Sequence, residues 1–91
     1  MIAVLPPDMS IVQAHASLRD HLPMWTVTAK PKDYPESYVA RLHVALPRPF
    51  STNVALISDN VDELREALAN LGLVKLERDP SDDPVIMETW L

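Results

Sequence analysis

Hydrophobic and polar residues alternate with period two in several short stretches of this chain, and with helical spacing in two others. "DNVDELREALANLG" (59–72) is the clearest helical stretch: Val61, Leu64, Leu68 and Leu71 form one apolar stripe. Asn60 followed by Glu63 resembles a capping box, and Asp62 and Glu63 fall in the first turn, where the helix dipole favours them. Gly72, the chain's only glycine, falls where a helix C-terminus calls for a left-handed residue. "SYVARLHVAL" (37–46) alternates as a strand, with Tyr38, Ala40, Leu42, Val44 and Leu46 on one side and Val39, Arg41, His43 and Ala45 on the other. "WTVTAK" (25–30), "VALIS" (54–58), "LVKLER" (73–78) and "VIMETWL" (85–91) also read as strands. Before them, "DMSIVQAHASLRDHLP" places Ile11, Ala14, Leu18 and Leu22 at helical spacing, predicting an amphipathic helix over about 10–22. Asp8 or Ser10 can cap its start, and Pro23 stops it.

The predicted architecture is therefore α+β: a small, mainly antiparallel sheet in the order β-β-β-α-β-β, with one helix on a face and an N-terminal amphipathic helix ahead of it. Residues 24–91 form the single domain and 1–23 an N-terminal extension. The sheet face away from helix 60–71 must be solvated, covered by helix 10–22, or covered by a second copy.

Nine prolines punctuate a chain of 91 residues that contains a single glycine. So few glycines exclude the phosphate-binding loop, the dinucleotide fingerprint and the Gly-x-Ser-x-Gly elbow. The absence of cysteine excludes disulfides and thiolate metal sites, and is consistent with a cytoplasmic protein. No apolar run approaches the roughly 20 residues of a membrane-spanning helix, and "MIAVLPPDMS" lacks the features of a signal peptide.

Charge is polarised: residues 1–58 carry five Lys/Arg and four Asp/Glu, residues 59–91 three and nine, giving +1 and −6 and the overall −5. An acidic half disfavours nucleic-acid binding and suits solubility or a basic protein partner. It leaves open an acidic, phage-type inhibitor of a nucleic-acid enzyme, built from helix 60–71 and the 79–83 loop.

"MWTV", "DYPESYVAR", "LREAL" and "RDPSDDPVIMETWL" together resemble a family of short, uncharacterised bacterial proteins that begin near a Met-Trp and end in Asp-Asp-Pro-Val-Ile…Glu…Trp-Leu. The resemblance spans about 24–91. It implies a small α+β fold and brings no catalytic residues with it. Residues 1–23 depart from the pattern, either as an added helix or as an upstream start before Met24.

Among chemical candidates, Asp79, Asp82 and Asp83 are weak metal ligands, because "DPSDDP" lacks the EF-hand pattern and its two prolines restrict wrapping around an ion. The segment reads as the turn of a hairpin. If strand 85–91 presents Glu88 and Trp90 on the same face as Arg41 and His43, these four form a mixed patch. It would suit a small ligand or acid–base chemistry, a cross-strand Arg–Glu pair beside a half-buried Trp, or a dimer interface. Tyr34, in the loop "PKDYP", is either a recognition residue or packing over the sheet edge. His15 and His21 do not follow the spacing of a zinc-binding helix. No cofactor is implied. The favoured function is a small non-catalytic interaction domain that self-associates, as a dimer. The alternative is a ligand-binding or enzymatic module using Arg41, His43 and Glu88.

Overall fold

The computed structural model describes residues 2–7, 13, 16, 21–44, 48–77 and 85–91. The elements whose bounds lie among these residues are the strands β1 (Ala3–Leu5), β2 (Pro23–Ala29), β3 (Tyr38–Val44), β4 (Phe50–Ser58), β5 (Lys75–Glu77) and β6 (Ile86–Trp90), and the helix α1 (Val61–Asn70) between β4 and β5. All six strands join one antiparallel sheet in the spatial order β1-β4-β3-β2-β6-β5. The α+β class and the antiparallel sheet agree with the sequence reading, but the element order differs at its start. Strand β1 opens the described chain and pairs Ala3, Val4 and Leu5 with Ile57, Leu56 and Ala55. Its apolar run is too short for a period to be read, and only the distant pairing with β4 defines it. Most of the span expected to form helix 10–22, His15 included, lies outside the described residues; within it Gln13 and Ala16 are helical, while His21 and Leu22 lead into β2 without helical geometry.

Strands β2, β3 and β4 form a meander, and α1 then carries the chain over one sheet face to the hairpin β5–β6. Alternation along these strands sends Trp25, Val27, Ala40, Leu42, Val54, Leu56 and Trp90 to the helix side, where Leu64 and Leu68 of α1 complete the core. Trp25 and Trp90 are direct cross-strand partners, and their indoles fill the middle of this layer. On the opposite face Val39 is fully buried, while Thr26, Thr28, Arg41 and His43 keep partial exposure.

Local chemistry fixes the helix ends. Asn60, in extended conformation, accepts the Asp62 N–H at 2.9 Å through Oδ1, which satisfies one of the first-turn donors. Ser58 Oγ accepts the Asn60 N–H at 3.0 Å and donates to Glu63 Oε1 at 2.7 Å, so Glu63 is held at the first turn through Ser58. Gly72 sits at φ +83°, and its N–H donates to the Ala69 carbonyl at 2.9 Å, closing the last turn in the left-handed conformation glycine accepts without strain. No described helix is long and apolar enough to cross a membrane.

Candidate functional site

The register decides whether the four patch residues meet. Thr26 faces Arg41 on one side and Thr89 on the other, whereas Val27 faces Ala40 and Glu88. Arg41 therefore shares a face with Thr26 and Thr89, and Glu88 shares the helix-side face with Val27 and Ala40. The patch Arg41–His43–Glu88–Trp90 does not form: it splits into two pairs on opposite sides of the sheet. The parity of strand 85–91 relative to strand 37–46 is set through β2, which lies between them, and an isolated strand pattern does not contain it.

Glu88 and Trp90 stay together, with a partner from the helix. Glu88 is only 2% exposed, a carboxylate withdrawn from water into an apolar layer. Arg65, on α1, compensates it: Nε donates to Oε1 at 3.1 Å and to Oε2 at 3.3 Å, and Nη2 donates to Oε1 at 2.8 Å. Trp90 Nε1 donates to Oε2 at 2.7 Å, and Arg65 Nη1 reaches Asp62 Oδ1 at 3.4 Å. Burial, the largest influence, pushes the Glu88 carboxyl up. The Arg65 hydrogen bonds, the Trp90 donor and the positive charges of Arg65 and Lys75 together outweigh it and hold Glu88 below its ordinary value. The hydrogen bonds from Arg65 to Glu88 raise the Arg65 value in turn. A carboxylate held ionised and saturated with donors is unsuited to exchanging protons near neutrality. Its geometry instead ties α1 to β6.

The signal for this tie was present but incomplete. Arg65 lies four residues after Val61 and three before Leu68, on the flank of the apolar stripe, where a long side chain can reach the core edge. Glu88 shares parity with Trp90 in an apolar terminal run, and a carboxylate there calls for a buried cation.

On the opposite face, Thr26 Oγ1 and His43 Nδ1 lie 3.5 Å apart. Arg41 pairs with Asp33 from the 30–37 loop, both side chains being substantially exposed. That loop folds back through Tyr34 N–H to Pro31 O at 3.0 Å, Ser37 N–H to Tyr34 O at 3.1 Å and Lys30 N–H to Ser37 O at 2.8 Å. Lys30 enters it at φ 51°, a left-handed position for a non-glycine residue at the strand end.

Opposite Leu42, β4 carries a bulge, since Arg41 pairs with Ala55 but His43 with Ser51. Thr52 Oγ1 donates to the Leu42 carbonyl at 2.6 Å and accepts the Val54 N–H at 3.2 Å, satisfying backbone groups the irregular ladder leaves over. Asp33, Tyr34, Arg41, Asn53 and Leu5 line an open cleft of about 140 Å³ beside this bulge. Two of the sequence candidates, Arg41 and Tyr34, thus meet there, joined by Asp33 and Asn53, which alternation alone does not single out. The charge of Arg41 is already answered by Asp33, and among the described residues no nucleophile paired with a base lines the cleft.

Asp79, Asp82 and Asp83 lie outside the described residues. Their segment connects β5 to β6, which pair antiparallel as the hairpin reading required. Among the described residues no group of three His, Asp or Glu side chains is arranged to hold a metal ion.

The third feature is the sheet edge at β5, which no described strand covers. Strand β5 is the last strand of the sheet, and Val74, Leu76 and Leu91 beside it are the exposed large apolar side chains among the described residues, at 64%, 45% and 38%. Val74 and Leu91 exchange both backbone hydrogen bonds, at 2.9 and 3.1 Å. Antiparallel pairs alternate, so Leu76 bonds inward to Thr89, while the N–H and C=O of Lys75 and Glu77 point away from β6 to the open edge.

No family model matches this chain, and neither a curated protein nor a solved structure matches it.

Proposed function

We propose that this is a small protein-interaction domain without catalytic activity, acting in the cytoplasm, and that it works through the free edge of its sheet at β5. One observation carries the reading: the outward backbone groups of Lys75 and Glu77 coincide with the exposed apolar cluster Val74, Leu76 and Leu91. Edge strands are ordinarily protected, because unpaired N–H and C=O groups bind any extended segment. An edge that also carries apolar side chains offers hydrogen bonds for affinity and apolar contacts for selection, the two components of strand addition. The ligand-binding alternative built on Arg41, His43 and Glu88 loses its basis, because those side chains lie on opposite faces.

Selection of a displayed library of random extended peptides on the immobilised domain tests the proposal. Glu77→Pro removes an N–H that has no role in the β5–β6 ladder, and proline is tolerated on an outward edge position. Binders are expected on the native domain and are lost on this variant. Failure to recover any binder, or binders indifferent to Glu77→Pro, contradicts it.

A further inference from the structure

We infer that the segment received by the β5 edge is β5 of a second copy, paired antiparallel about a two-fold axis at Leu76; this rests on the strand-addition reading above. In that register Leu76 faces Leu76 of the other molecule, Lys75 faces Glu77, and Glu77 faces Lys75.

Three independent features of the edge agree with it. Lys75 and Glu77 carry the outward N–H and C=O groups, so they form the hydrogen-bonded pairs of the new ladder, and Leu76 forms the non-hydrogen-bonded pair between them. That pair brings side chains closest, which suits the half-exposed Leu76. The charges are self-complementary: Lys75 and Glu77 flank Leu76 symmetrically, and within one molecule they already form an ion pair at 3.3 Å, so exchange of partners forms two intermolecular pairs with the same chemistry. Pairing shifted by two residues would set like charges opposite each other or leave them unpaired, so the register is specified by charge.

A two-fold arrangement also closes. It uses each β5 edge once and joins two six-stranded sheets into one continuous sheet without leading to a fibre. The other edge, β1, is followed directly by Pro6 and Pro7, which lack the N–H an added strand needs, and Ile2 and Val4 pack against the core. Because the described part of β5 is three residues long, the contact is small, and its dissociation constant falls roughly in the micromolar-to-millimolar range of transient contacts.

Sedimentation velocity across a concentration series distinguishes this partner from others. The native chain is expected to shift from monomer to dimer. Glu77→Lys sets two ammonium groups opposite each other at both ends of the new ladder, and Lys75→Glu sets two carboxylates opposite each other there. Each weakens dimerisation roughly tenfold. An equimolar mixture of the two variants pairs opposite charges at both positions and restores association. The double exchange K75E/E77K restores it within a single chain. Lys75→Glu also brings a carboxylate toward Glu88, so thermal unfolding of each variant is recorded below the dimerisation range. If that variant does not fold, Glu77→Gln is compared with Glu77→Lys: the neutral change weakens association less than the charge reversal, and equal weakening overturns the inference. A native chain that stays monomeric at millimolar concentration, or a mixture and a double exchange no stronger than the single variants, overturns the inference. Peptide binding at the edge in a strictly monomeric domain retains the strand-addition reading and rejects the second copy.

Discussion

Replacing Arg65 with methionine leaves Glu88 buried with the Trp90 N–H at 2.7 Å as its remaining strong donor. Removing one member of a buried ion pair costs about 3–5 kcal/mol, because the other charge is left without compensation. Arg65 itself is 36% exposed in its side chain, so water enters the vacated space and reduces the cost to about 2–3 kcal/mol. For a chain of this size that lowers Tm by roughly 10–20 °C. Adding Glu88→Leu to Arg65→Met removes the stranded charge, leaving the Trp90 indole without its acceptor at about 1 kcal/mol. The double variant is therefore more stable than the Arg65 variant alone. Urea unfolding at pH 7, followed by circular dichroism on all four members of the cycle, measures the coupling. An Arg65→Met variant within 0.5 kcal/mol of the native chain (roughly the scatter of neutral surface changes), or a double variant less stable than the single, refutes the account of this pair.

Further outcomes follow from the same contacts. Glu88 is held below its ordinary carboxyl value, so its contribution to stability is present above the unfolded value of about 4.3 and is lost as pH falls through the folded one. In Arg65→Met, burial dominates and raises the Glu88 value, so stability should rise rather than fall as pH drops from 7 toward 5; a native-like pH profile in that variant contradicts this. Asn60→Ala removes the acceptor of the Asp62 N–H and should cost about 1 kcal/mol in chemical denaturation. Gly72→Ala should cost a similar roughly 1 kcal/mol through φ +83° alone, since nothing lies within 4 Å of an added methyl. Arg41→Ala breaks an exposed pair with Asp33 and should change unfolding free energy by less than about 1 kcal/mol, so a larger loss shows the pair to be structural.

Local order was readable wherever one face of an element meets the core. The stripe Val61–Leu64–Leu68–Leu71 and the cap residues Asn60 and Gly72 mark α1 because each acts within one or two turns. The alternation of 38–44 marks β3 for the same reason. What escaped depends on pairing between distant segments. Strand β1 exists by virtue of Ile57, Leu56 and Ala55, far along the chain. The faces of Arg41 and Glu88 are related only through β2, and the β4 bulge shifts the register again opposite Leu42. Arg65 is invisible as a core residue until Glu88 is placed beneath it, since a charged residue on an acidic helix otherwise reads as surface. The edge character of β5 is likewise a property of sheet order: "VKLER" reads the same whether central or terminal.

Amide hydrogen exchange of β5, resolved by residue and followed from micromolar to millimolar concentration, reads strand pairing at this edge. The Leu76 N–H bonds inward to β6 and should be protected at every concentration. The N–H groups of Lys75 and Glu77 point to the open edge; they should exchange freely when dilute and slow together as concentration rises. Exchange at these two positions that stays independent of concentration, with no extended peptide able to slow it, would contradict the account.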